Sequence, residues 1–300
     1  MHAIQIMLAK ETVVQKEISR SKFKDFVMLM KLRLSFLVVL SAVAGYFFAD
    51  GSFNLNFVYL VLGGFLITGA SNGFNQILER DLDKLMNRTA NRPVASGRMS
   101  VNEALTISII AGALGLIMLF QLNYFAGILG LLALVMYVFL YTPLKRITPW
   151  AVFVGAFPGA IPPMLGVVAV TGEFNLLVGI IFLIQFVWQF PHFWAIAWVL
   201  DEDYARAGFS LLPSRGRKNK ASAFQIVAYS FLMIPVGILP WFFSFTGDIS
   251  LIVGTIAGLW FFLTAYRLYL NLEDKAARTL MFASFIYLPI IQFLYVFDKV

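Results

Sequence analysis

Apolar stretches of about 20 residues follow one another from residue 31 to residue 297, and no other feature narrows the choice of fold as far. Each is long enough to cross about 30 Å of hydrocarbon. Within lipid no water is available to satisfy peptide groups, so only helices or a closed barrel can span it. The runs are continuously apolar rather than alternating, which selects helices. They fall near 31–49, 56–78, 102–121, 124–142, 149–170, 175–198, 222–245, 249–270 and 279–297. Pro158, Pro162, Pro163, Pro191, Pro235 and Pro240 lie inside them, where neighbouring helices or side chains must satisfy the freed carbonyls. With 60% hydrophobic and 13% charged residues, one soluble helical core is excluded. The expected fold is an all-α integral membrane protein of about nine transmembrane helices in one bundle. The chain reads as a single domain, 1–300, with 1–30 an interfacial or cytoplasmic segment.

Charge orients this bundle. The segments 79–101, 143–148, 199–221 and 271–278 hold nearly all the Lys and Arg, whereas those between them are nearly free of both. The bias predicts a cytoplasmic N-terminus and an outside C-terminus. The net charge of +7 then belongs to topology and contact with anionic lipid, with no nucleic-acid partner. The first residues lack a secretory pattern and are too acidic for a transit peptide, so a bacterial cytoplasmic (inner) membrane is expected. The second and sixth spans each run into an acidic cluster, a faint internal echo.

Cysteine is absent, which removes disulfides, thiolate metal sites and cysteine nucleophiles. The two histidines are His2 and His192, so a haem held between two internal histidines is excluded and a tetrapyrrole would be substrate. The chemistry concentrates after the second span. If its helix continues, Asn72, Asn75, Glu79 and Asp83 share a face and Asp81 points elsewhere. Two carboxylates and two amide oxygens suit Mg²⁺, with Asn75, Glu79 and Asp83 as candidate ligands. Arg88 and Arg92 follow, and guanidinium groups facing carboxylates invite a diphosphate between them. Ordinary surface ion pairs are the competing reading, but Asn72 and Asn75 lie within the span and need partners.

These residues resemble the first signature of the UbiA-type intramembrane prenyltransferases, standing here as Asn75-Gln76-x-x-Glu79-x-x-x-Asp83 followed by Arg88-Thr-x-x-Arg92-Pro. Gln76 and Glu79 replace the Asp of many members, which puts a metal contact through position 76 in doubt. Tyr141-Thr-Pro-Leu-Lys145-Arg146 is similar to a second family element that would hold the diphosphate from another side. Tyr141 would either hydrogen-bond to the diphosphate or help stabilise a developing allylic cation. The third segment carries Trp188-Gln-Phe-Pro-His192-Phe-Trp and then Asp201-Glu-Asp203-Tyr-Ala-Arg206. It resembles the haem-prenylating branch rather than the quinone-type members.

The resemblance implies farnesyl diphosphate and haem b as substrates, Mg²⁺ as cofactor and membrane lipid as surroundings. Catalytic roles would fall to Asn75, Glu79, Asp83, Tyr141, Lys145 and His192, and substrate binding to Asn72, Arg88, Arg92, Arg146, Asp201 and Asp203. His192 would meet haem iron, meet a propionate, transfer protons, or merely pack. A quinone precursor or chlorin is an alternative acceptor, and a transporter the alternative class.

Overall fold

The structure, a computed structural model, describes residues 22–214 and 216–300. His2 and most of the N-terminal segment lie outside the described residues. Several spans begin or end at a recognisable local signal. Asn54, Ser100, Asn123, Asn175 and Asn219 each accept a hydrogen bond from the backbone N–H three residues on, satisfying one orphan donor of a first turn. They open α3 (Leu55–Leu78), α5 (Val101–Leu122), α6 (Tyr124–Val135), α9 (Leu176–Val199) and α11 (Lys220–Gly237). Gly172 closes α8 (Ala151–Thr171) at φ 69°, the left-handed conformation glycine adopts without strain.

The remaining long helices are α2 (Leu32–Phe48), α13 (Asp248–Asn271) and α14 (Asp274–Phe297). Among the described residues, eight helices are long and apolar enough to cross a membrane. The count is nine if α1 (Lys22–Met30) and α2, bent by 41° at Lys31, form one span. α8 and α9 are the central pair, with 72% and 61% of their apolar windows buried, against 44% or less for the other six helices. α2 packs on α3, α8 and α14, while α9 packs on α8, α11 and α14. The α2–α8 approach is backbone against backbone: a side-chain carbon at Gly45 would strike the Pro163 carbonyl, and one at Gly166 the Ala42 carbonyl.

Two expected spans are interrupted. The run 124–142 is not one α-helix, because a π-helical segment occupies Met136–Tyr141 before α7 (Thr142–Leu144). Pro143 has no N–H to return to the preceding turn, and the Tyr137 carbonyl accepts both the Thr142 N–H and, at 2.9 Å, the Thr142 hydroxyl. The run 222–245 breaks at Ile238 and resumes as α12 (Leu239–Phe242), with Pro240 in its first turn. The proline ring would meet the carbonyl four residues back. The neighbouring Gly237 carbonyl accepts the Tyr295 hydroxyl at 2.5 Å.

Connecting segments gather at two ends as alternate crossings require. At one end Lys22 meets Glu103 at 3.1 Å, Arg98 meets Asp25 at 2.9 Å and Lys218 meets Asp274 at 2.7 Å. At the other, Thr246 bridges to Lys299, whose ammonium pairs with Asp50.

Candidate functional site

The polar site is built where α3 ends. Asn72 and Asn75 belong to α3, Glu79 is its C-cap at φ −97°, and the short helix α4 (Arg80–Asp83) carries the chain on. The hydrogen-bond ladder survives the break, with Glu79 N to Asn75 O at 2.9 Å and Asp83 N to Glu79 O at 2.7 Å. Asn72, Asn75, Glu79 and Asp83 are therefore all buried, whereas Asp81 is exposed and pairs with Lys84 at 2.8 Å.

Both buried carboxylates already hold a cation. Arg92 Nη1 lies 2.8 and 2.7 Å from the two Asp83 oxygens, and Lys145 pairs with Glu79 from the end of α7. Burial pushes the Asp83 carboxyl above its ordinary pKa while Arg92 pulls it back. Burial also lowers the Lys145 ammonium, and Glu79 opposes that. Lys145 Nζ sits 5.0 Å from the Tyr141 ring centroid and 5.5 Å from that of Phe209, so its charge rests against aromatic faces.

The third segment enters through α10 (Asp201–Arg206). Asp203 accepts from the backbone N–H groups of Asn87 and Arg88, at 2.8 and 3.2 Å. It thereby fastens the Arg88 loop to α10 without using the guanidinium. Asp201 instead has Lys218, Asp274 and Glu202 as its charged neighbours, and burial raises its pKa. Arg146 is exposed and, with Glu79, lines a cleft of about 480 Å³ between α3 and α7. Arg88 is exposed too.

Three participants escape a reading of motifs alone. Lys31, at φ 45° in the α1–α2 break, feels the charges of Arg92, Lys145, Glu79 and Arg88. A lone lysine heading an apolar run is its only sequence signal. Thr142 accepts the Asn75 amide at 3.2 Å, joining the first element to the second. Tyr204 has Arg88, Glu79 and Arg92 as neighbours, and burial raises its pKa. Gln76 turns away from the site and donates to the Met28 and Leu29 carbonyls at 3.1 and 2.9 Å, which ties down α1.

Beneath this polar layer lies an apolar cavity of about 220 Å³ between α2, α3, α6, α8 and α9. Asn72, Tyr137 and Tyr141 form its polar rim, while Val38, Pro162 and Phe193 are among its apolar walls. Gly155 leaves room for the Tyr141 ring, which a side-chain carbon there would approach to 2.5 Å. His192 stands outside the charged layer, buried between α9 and α14. It stacks on Trp188 with centroids 4.4 Å apart, and its Nδ1 lies 2.7 Å from the Ser284 hydroxyl.

No group of three or more His, Asp or Glu side chains gathers to hold an ion among the described residues. Glu79 Oε1 is buried and its partner is the Lys145 ammonium. Two carboxylates and the Asn75 amide form a hard-oxygen set that fits Mg²⁺ when substrate oxygens complete the shell.

The profile of the UbiA prenyltransferase family matches residues 38–288. The chain is 48% identical over 289 residues to the protoheme IX farnesyltransferase of Flavobacterium psychrophilum, covering 93% of this chain and 96% of that one. It is 47% identical to that of Cytophaga hutchinsonii, covering 93% and 99%. Among solved structures, a digeranylgeranylglyceryl phosphate synthase superposes with a TM-score of 0.77 at 20% identity, over 93% of this chain and 98% of that one. A UbiA homologue from Archaeoglobus fulgidus bound to GPP and Mg²⁺ gives 0.65 at 15% identity, over 91% and 99%.

Proposed function

The chain belongs to the UbiA prenyltransferase family, and from that membership we propose that it transfers the farnesyl group of farnesyl diphosphate to a vinyl group of protoheme IX. Addition of water completes the hydroxyethylfarnesyl substituent, and diphosphate is released. The observation that carries this reading is the stacking of two layers: paired buried carboxylates and cations lie directly above an apolar cavity rimmed by Asn72 and Tyr141. A diphosphate head with an isoprenoid tail has the same two-part chemistry.

Arg92 and Lys145 would leave Asp83 and Glu79 to take the diphosphate oxygens, with Arg88 and Lys31 adding positive charge. Glu79, Asp83 and Asn75 would hold Mg²⁺, which supplies charge neutralisation on the departing diphosphate. The C1–O bond breaks as negative charge builds on the leaving group, and the cations stabilise that charge. Tyr141 presents its ring to the allylic cation, while the walls of the cavity keep bulk water from quenching it. The vinyl group's π electrons then form the new carbon–carbon bond.

The chain is read as one domain with the N-terminus and site on the cytoplasmic side of a bacterial inner membrane, on the basis of its basic loops. Family membership leaves the transporter reading without support. Purified protein in lipid nanodiscs, supplied with farnesyl diphosphate, Mg²⁺ and haem b, should yield haem of increased mass by one farnesyl group and one hydroxyl group, the remaining proton of the added water being released. A parallel incubation with hydroxybenzoate should yield nothing. Prenylated benzoate, or unmodified haem throughout, would overturn the proposal.

A further inference from the structure

The apolar cavity below Tyr141 continues into a second, smaller void of about 50 Å³, and Val38, Ile67, Thr68, Ala133 and Pro162 belong to the walls of both. Apart from Thr68 the wall of the lower void carries no polar side chain, so a hydrocarbon suits it and a headgroup does not. Asn72, Thr68, Gly64 and Leu60 follow at intervals of four along α3, and one face of that helix therefore lines the space from rim to floor. With a rise of about 1.5 Å per residue, Gly64 stands about 12 Å deeper than Asn72, Gly63 about 14 Å and Leu60 about 18 Å.

The floor comes from α5, through a residue that no sequence motif singles out. Leu119 is 1% exposed and seated between two glycines. A side-chain carbon at Gly63 of α3 would stand 2.9 Å from its Cδ2, and one at Gly130 of α6 would strike its Cδ1. The leucine branch thus fills a socket that two other helices leave open for it. Packed on both sides, it has little room to swing aside.

This depth matches one chain length. A farnesyl chain with its C1 at the rim reaches about 14 Å when extended, because each carbon–carbon bond is about 1.5 Å long and a zigzag advances somewhat less. On the same basis geranyl reaches about 9 Å and geranylgeranyl about 19 Å. Geranyl ends above Gly64, farnesyl ends at the level of Leu119, and geranylgeranyl has to pass it.

We propose that Leu119 sets the length of the prenyl chain this protein accepts, as the floor of a channel running along α3 from Asn72 past Gly64. The proposal deepens the reading of the cavity as the prenyl-tail site and rests on it. A further isoprene unit meets a fixed side chain, and even one misfitting methylene in an apolar pocket changes kcat/KM by about 10–200-fold.

The test uses the full chain in nanodiscs with haem b and Mg²⁺, supplied with geranyl, farnesyl and geranylgeranyl diphosphates in competition and read by product mass. Wild type should prefer farnesyl over geranylgeranyl by about 10²-fold in kcat/KM, and Leu119→Ala should lose at least about tenfold of that preference. Gly64→Ala, whose added carbon meets Val39 Cγ2 at 3.2 Å, should narrow the channel above the floor and move the preference the other way, toward geranyl. Should Leu119→Ala fail to fold, Leu119→Val keeps most of the packing and should move the ratio in the same direction. Displacement of labelled farnesyl thiodiphosphate by the three diphosphates, without haem, should give the same order. A wild type with no preference for farnesyl over geranylgeranyl, or a ratio unchanged in the Leu119 variants, overturns the inference while prenylated haem upholds the activity. Haem left unmodified throughout, with displacement in the expected order, counts against the activity and leaves Leu119 as the floor.

Discussion

Replacing Arg92 with leucine should expose how the site stores opposite charges before substrate arrives. Asp83 has no exposed surface and the Arg92 side chain is 13% exposed, with Nη1 within 2.8 Å of both carboxylate oxygens. Removing one partner of a buried pair strands the other, at a cost of about 3–5 kcal/mol. A protonated Asp83 escapes that cost, which makes the loss depend on pH. Burial already raises its folded pKa above 3.8, and without Arg92 the shift grows. A carboxyl that holds its proton more tightly when folded loses stability as pH rises from its unfolded pKa through its folded one. The variant should therefore lie close to wild type near pH 4 and reach its full deficit above the raised folded value. Adding Asp83→Asn should restore most of the loss, because no charge is then left buried. Denaturant titration in micelles, followed by tryptophan fluorescence at several pH values, measures each quantity. A loss under about 1 kcal/mol at pH 8, or a double variant no more stable than the single, would refute the argument.

The same geometry makes other expectations. Asp83→Asn should lower turnover by about 10²-fold or more in the nanodisc assay, since a group that organises the departing charge is worth about 2.7–4 kcal/mol. Asp203→Ala removes two backbone caps from the Arg88 loop, and KM for farnesyl diphosphate should rise about tenfold with less change in kcat, a cap being worth about 0.5–2 kcal/mol. Gly155→Ala should cost about 1–3 kcal/mol of stability by crowding Tyr141, and its activity should fall further than Gly179→Ala, where no neighbour lies within 4 Å. Glu79→Gln removes the charge that holds the buried Lys145 pKa up, so the alkaline limb of binding of a non-hydrolysable prenyl diphosphate should move to lower pH. An unmoved limb would separate Lys145 from that titration.

Much of the fold is legible in one dimension because lipid gives the backbone few options. A run of 20 apolar residues has to be a helix, and the predicted spans from 56–78 to 279–297 match helices such as α3 and α14 within a few residues. The interruptions at Tyr141 and Ile238 were less visible. A proline inside a run signals a kink, but whether it yields a π-turn, a break or a smooth helix depends on which neighbour takes the freed carbonyl. Pro158, Pro162 and Pro163 leave α8 unbroken, whereas Pro240 stops a helix.

Residue chemistry alone determined which groups could serve a diphosphate: carboxylates and amides at helical spacing on Asn72, Asn75, Glu79 and Asp83, and cations at Arg88, Arg92 and Lys145. Only the tertiary structure decided their partners. It set Lys145 on Glu79, turned Gln76 toward α1, gave Asp203 two backbone N–H partners, and brought Lys31 in from a distant part of the chain. It also set the His192 ring against the hydroxyl of a serine 92 residues away. The physical reason is range. Backbone satisfaction in lipid acts within one helix and is written in local composition, whereas ion pairs, hydrogen bonds and ring stacking act across gaps that close only when helices pack.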